Sequence, residues 1–141
     1  MSIEQPWVEV ITVARVNEFH KEAIARFGGP MSFAVDGCLE QCLGNAWTAE
    51  QYQEERSLKA GLIFAAYLLF YLANDHCYTD GNKRVAWMSL VYILRHYDLT
   101  VDVSDDDAVS FMNDVASGRV NARAVSDWIA DRLDVTGPSL S

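Results

Sequence analysis

Positive charge is scarce in this chain: 11 Lys and Arg stand against 20 Asp and Glu, for a net charge of −9. A phosphate backbone or an anionic lipid face needs a basic partner, so the balance argues against direct nucleic-acid binding and against membrane docking. Long apolar runs are missing as well. The longest, Ala60 to Ala73 ("AGLIFAAYLLFYLA"), covers 14 residues, whereas a helix that crosses hydrocarbon takes roughly 20. It reads instead as a buried core helix. Cysteine is limited to Cys38, Cys42 and Cys77. An odd number without framework spacing favours a reduced, cytosolic protein over a disulfide-stapled secreted one. The opening "MSIEQPWVEV" lacks a basic segment followed by an apolar one, so no signal peptide is expected and the expected location is cytoplasmic.

Half of the 141 residues are apolar, enough for a single core, and neither repeats nor a linker divide the chain. One domain over 1–141 is expected, with a frayed tail at 135–141. Helical periodicity dominates. Val16, Phe19, Ala23 and Phe27 fall on one face of a first helix, which Gly28-Gly29-Pro30 ends. A weaker helix covers about Val35 to Leu43. Thr48 is a plausible cap for the polar segment after it, which is expected to be exposed; residues 45–56 are a candidate flap over a binding groove. Ser57 to Asn74 is apolar on nearly every face, as a central helix should be. A second buried helix runs from about Asn82 to Tyr97. "DLTVDV" is the only strand-like piece. Ser104 caps a helix with Asp105, Asp106 and Asp107 in its first turn; Ala108, Phe111, Met112 and Val115 form its inner face, and Gly118 ends it. The last helix, about Asn121 to Leu133, buries Val125, Trp128, Ile129 and Leu133. The expected fold is all-α, a compact helical bundle around a central hydrophobic helix.

Between the two most apolar helices lies "DHCYTDGNKR", residues 75–84. A helix starting near Gly81 or Asn82 points its unpaired N–H groups and the positive end of its dipole back into this turn. Gly81 lets a phosphate approach the backbone closely. Lys83 and Arg84 add positive charge where the dipole disfavours it, a conflict that a bound anion relieves. Asp80 offers a hard oxygen suited to Mg²⁺ on phosphates. His76, at the far end of the turn, can accept a proton near neutral pH. Taken singly, each has a bland reading: a C-terminal cap, a common Asp-Gly turn, a solvated Lys-Arg pair. Together they suggest transfer of part of a nucleotide to a hydroxyl. Of the other histidines, His20 reads as a satisfied packing residue, and His96 suits the dipole at a helix end.

"HCYTDGNKR" resembles the Fic/Doc superfamily signature, His-x-Phe-x-(Asp/Glu)-(Gly/Ala)-Asn-(Gly/Lys)-Arg, and its lysine form resembles the Doc (death-on-curing) branch. "HKEAIARFGG" is similar to the first helix and Gly-Gly stop of Doc proteins, and the likeness covers roughly residues 12–133. The resemblance implies His76 as general base, Asp80 as the Mg²⁺ ligand, Asn82 as a phosphate contact and Arg84 as the holder of the outer phosphates of ATP. Lys83 stands where AMP-transferring relatives have glycine, and Trp87 where they have a second arginine. Both departures suit the Doc branch, in which ATP lies reversed and presents its γ-phosphate. Tyr78 replaces the usual phenylalanine, and its hydroxyl needs a partner if buried; Cys77 stands where Fic proteins have proline. The implied role is a toxin that phosphorylates a translation protein such as elongation factor Tu. No inhibitory Ser/Thr-x-x-x-Glu helix is visible, so a Phd-type antitoxin is the implied restraint.

Three other readings compete. One keeps the fold but transfers AMP. Another is a zinc-binding structural protein using Cys38, Cys42, His76 and Cys77; Cys38 and Cys42 lie one helical turn apart, but adjacent His76 and Cys77 have difficulty reaching one ion. The third is an inactive binding or co-repressor module, for which an intact base is unnecessary.

Overall fold

The computed structural model describes residues 6–52 and 61–135. A short 3-10 turn, Pro6–Glu9, leads into α1 (Val13–Phe27), α2 (Cys38–Tyr52), α3 (Leu62–Asn74), α4 (Asn82–His96), β1 (Leu99–Val101), α5 (Asp105–Ala116), α6 (Ala122–Ala130) and β2 (Leu133–Val135). The all-α expectation holds, with one small addition. β1 and β2 pair antiparallel, Thr100 opposite Asp134, so the strand-like piece has a partner, whose first residue, Leu133, is expected from the sequence to end the last helix. α6 ends at Ala130 and Leu133 lies on β2. Val135, assigned to a frayed tail, is the last residue of that strand; residues 136–141 lie outside the described ones.

α3 is the axis of the bundle. Leu62, Phe64, Ala66, Leu68, Leu69 and Leu72 are all buried, which places apolar atoms on every side and requires helices all round it. α2 and α4 flank it, and α5 and α6 pack along it as well. Each large side chain sealed in this way contributes about 1.5–3 kcal/mol relative to exposure. Three helices begin with side-chain caps: Thr12, Ser104 and Asn121 accept from the backbone N–H of Arg15, Asp107 and Ala124. Ser104 thus performs as its sequence context indicates.

The largest departure is α2. It is one helix to Tyr52, and Thr48 sits inside it, donating its hydroxyl to the Gly44 carbonyl at 2.9 Å. Trp47 packs edge-on against Phe64 with centroids 5.6 Å apart, and Ala46 and Glu50 are buried. The segment looked exposed because its polar residues are frequent; the core reaches it through the few residues that face α3. Of the candidate flap at 45–56, residues 45–52 are therefore helical, and 53–56 lie outside the described residues. So do the first residues, 57–60, of the expected central helix.

Cys38, at the start of α2, is disulfide-bonded to Cys77, with Cα atoms 5.5 Å apart. This corrects the expectation of three reduced thiols. Separation by 39 residues hides the pairing in the sequence, while the return of the chain after α3 brings Cys77 against the start of α2. Cys42 remains a buried free thiol.

Candidate active site

The chain leaves α3 at Asn74 and re-enters a helix at Asn82, and the intervening loop is held from three directions. From within, Asn82 closes it: its Oδ1 accepts from Tyr78 N at 3.1 Å and its Nδ2 donates to Tyr78 O at 2.8 Å. From α1, His20 stacks on Tyr78 with centroids 3.8 Å apart, and its Nε2 donates to the Asp80 carbonyl at 3.1 Å. The buried Tyr78 hydroxyl donates to Asn17 Oδ1, which supplies the partner its replacement of phenylalanine required; burial pushes this phenol above its ordinary range. From α2 come the disulfide and, just before that helix, the Val35 N–H, which donates to Cys77 O at 2.8 Å. His20 is thus the packing residue anticipated, but it packs the motif loop itself.

α4 differs from the capped helices. Its N-cap is Gly81 with φ 85° and no side-chain cap, and its first backbone bond runs from Val85 N to Gly81 O. The amides of Asn82, Lys83 and Arg84 precede that bond, so the helix begins with open donors and the positive end of its dipole. They face a groove of about 1040 Å³ lined by α1, the loop, α4 and α5, with His76, Asp80, Gly81, Asn82, Lys83 and Arg84 all on its wall. The structure brings together every site residue read from the sequence.

Their individual settings differ. His76 has φ 51°, a left-handed conformation unusual for a residue with a side chain. It is exposed to the groove, and among the described residues its imidazole has no hydrogen-bond partner. Asp80 accepts from Gly81 N through Oδ1 at 2.8 Å. Its Oδ2 passes so close to Gly29 that a Cβ there would lie 2.8 Å away, and Gly29 has φ 111°. The Gly-Gly stop of α1 therefore also makes room for a carboxylate from the loop. The side chain of Asn82 is committed to Tyr78, which leaves its backbone N–H as the donor it can offer an anion.

Lys83 Nζ donates to Asn113 Oδ1 at 2.8 Å, reaching from α4 to α5. The Arg84 guanidinium lies over the Phe27 ring, 3.9 Å from its centroid. Among the described residues neither cation has a carboxylate partner. In a chain of net charge −9, two unpaired cations beside a helix start mark a place that attracts anions. Arg26, also on the groove wall, is paired with Glu22 at 3.2 Å.

Phe27 falls on the face of α1 that the periodicity predicts to be buried, yet it is 58% exposed and serves as the platform for Arg84. Its place at the end of the helical stripe, just before the Gly-Gly stop, is the signal that sets it apart from Val16 and Ala23, which are buried. Asn113 was also missed; nothing in its local sequence singles it out, because its partner Lys83 is 30 positions away. Below the loop, Cys42 Sγ lies 3.7 Å from Cys77 Sγ and donates to Asp75 Oδ2 at 3.3 Å. Burial, and then the Asp75 carboxylate, push this thiol up and keep it protonated.

The fold and the groove define a helical protein with an anion-attracting pocket at the start of α4. The chain belongs to the Fic/DOC family, whose model matches residues 10–94. That span runs from the turn before α1 through α3 and the motif loop to near the end of α4. The family is generally one of transferases that bind ATP with a metal. A comparison with curated proteins finds no significant match. Among the described residues, no helix is long and apolar enough to cross a membrane.

Proposed function

We propose that this chain is a Doc-like toxin that transfers the γ-phosphate of ATP to a hydroxyl of a translation protein, of the elongation factor Tu kind, and so arrests translation in the cytoplasm. A Phd-like antitoxin restrains it. The observation that carries the reading is the uncapped start of α4: open amides, Lys83 and Arg84 face the same groove as the free imidazole of His76 and the carboxylate of Asp80.

In this reading Arg84, Lys83 and the α4 amides hold the phosphates, and His76 takes the proton of the acceptor hydroxyl on an imidazole nitrogen. The acceptor oxygen forms the new bond to the γ-phosphorus, the bond from that phosphorus to the bridging oxygen breaks, and ADP leaves with the electron pair. Asp80 lies on the groove wall, and its carboxylate is a hard oxygen donor of the kind that fits a magnesium ion. When bound, magnesium neutralises phosphate charge. Lys83 supports phosphate transfer over AMP transfer, because its side chain crosses to Asn113 where a glycine would leave open space beside the backbone.

The test is incubation of the wild type and of His76→Ala with host lysate and ATP labelled at either the α or the γ position. Label from the γ position alone, a target heavier by one phosphoryl group and loss of both in His76→Ala support the reading. Label from the α position overturns it in favour of nucleotide transfer.

A further inference from the structure

A cluster of sulfur atoms lies outside the groove. Cys38 and Cys42 project from successive turns of α2, and Cys77 follows His76 in the motif loop; their three Sγ atoms all lie within 4.8 Å of one another. We propose that in the reduced chain Cys38, Cys42 and Cys77, with the carboxylate of Asp75, bind a zinc ion. The disulfide is then the oxidised, metal-free form of the same site.

The distances suit the ion. Thiolates about 2.3 Å from a tetrahedral zinc lie about 3.8 Å from one another, and a thiolate and a carboxylate oxygen about 3.5 Å apart. Cys42 and Cys77 are already 3.7 Å apart, and Cys42 Sγ is 3.3 Å from Asp75 Oδ2. Cys38 must swing, by separation of its sulfur from that of Cys77, and the Asp75 carboxylate, which meets Cys42, must turn to share the ion with the other two sulfurs. It is the least buried of the three and gives the ion an entry path. The ligand set is not the one that includes His76, whose ring faces the groove. Asp75 takes that place, and it comes from the C-terminal end of α3. Three sulfurs and one oxygen favour zinc over the magnesium suited to the all-oxygen chemistry of Asp80.

The chemistry balances. A dithiol reductant gives two electrons and two protons to the Cys38–Cys77 bond and becomes a disulfide itself. Zinc then displaces the protons of three thiols. Either the covalent bond or the ion fastens α2 to the residue next to His76, so the loop keeps an anchor in both redox states. The proposal does not depend on what the groove transfers.

The experiment uses the full chain, stripped with a chelator and reduced anaerobically, then titrated with Zn²⁺ against a chromogenic chelator and, separately, with Co²⁺. One equivalent of zinc, a tetrahedral cobalt spectrum with thiolate charge-transfer bands, and affinity lower by about 10–100-fold or more in Cys42→Ser are expected. Cys38→Ser, at a partly exposed position, should show the same loss and covers the case in which Cys42→Ser does not fold. The oxidised chain should take up no zinc at this affinity. Absence of uptake by the reduced wild type, unchanged affinity in Cys38→Ser, or cobalt bound without thiolate bands would overturn the proposal.

Discussion

His20 lies flat against Tyr78, with 5° between the ring planes, and donates from Nε2 to the carbonyl of Asp80. One buried side chain of α1 thereby fixes both the aromatic floor of the motif loop and the residue that offers a carboxylate to the groove. His20→Ala removes the stack and the hydrogen bond together, and should cost about 2–3 kcal/mol. His20→Phe keeps a ring and should recover about half. Urea unfolding gives the cost, and amide exchange across residues 76–82 should speed up in the alanine variant more than elsewhere.

His76→Ala should behave in the opposite way. The ring is exposed and without a partner among the described residues, so stability should stay within about 0.5 kcal/mol of wild type. Transfer should fall by about 10²–10⁴-fold if the imidazole is the base. Equal loss of folding and activity would show that the residue is structural.

Lys83→Gly removes the reach to Asn113 and clears the side chain from beside a backbone amide that is already open. Its stability should drop by about 1 kcal/mol, as for glycine in a helix. The ratio of α- to γ-derived label on the target should rise. An unchanged ratio would mean that Lys83 does not select the group transferred.

Much of this site is legible in the sequence because its residues are contiguous. A turn between two apolar helices can only place Asp80, Gly81 and the start of α4 together, and Ser104 announces its helix by its own chemistry. Contacts across long separations are another matter. Nothing near Cys38 indicates Cys77, and nothing near Leu99 indicates that Leu133 to Val135 will pair with it rather than extend α6. In α2, sparse apolar residues on a polar background conceal a helix that α3 stabilises from outside, which is why Thr48 looked like a beginning when it is an interior residue.

Glu50 illustrates the same point and can be tested. Buried in α2, its Oε1 accepts from the backbone N–H of Gly61 at 2.7 Å and of Phe64 at 3.2 Å, and so serves the uncapped start of α3. Glu50→Ala should destabilise by about 2–3 kcal/mol because buried donors lose a charged acceptor. Glu50→Gln keeps an acceptor and should cost less. Calorimetric melting of the two variants would rank them; equal losses would count against the capping role.

Alkaline pH should weaken the fold. Burial raises the phenols of Tyr71, Tyr78 and Tyr97 above the ordinary value of 10.0; the Glu50 charge adds to the effect at Tyr97, and Tyr67, Asp75 and Cys42 add to it at Tyr71. The folded chain keeps these protons longer than the unfolded chain does. Stability is therefore unaffected by them below pH 10 and falls as pH rises beyond it. Urea midpoints at about pH 8 and about pH 11 should differ in that direction, with late ionisation visible in the tyrosinate absorbance.

Because Asn82 ties both ends of its amide to the backbone of Tyr78, the bend before α4 has its shape before anything enters the groove. Little conformational entropy then remains to be lost at this bend when a ligand arrives, and more of the contact energy appears as affinity. Preorganisation of this kind comes from within the motif, four residues apart, and needs neither the sulfur anchor nor a partner chain.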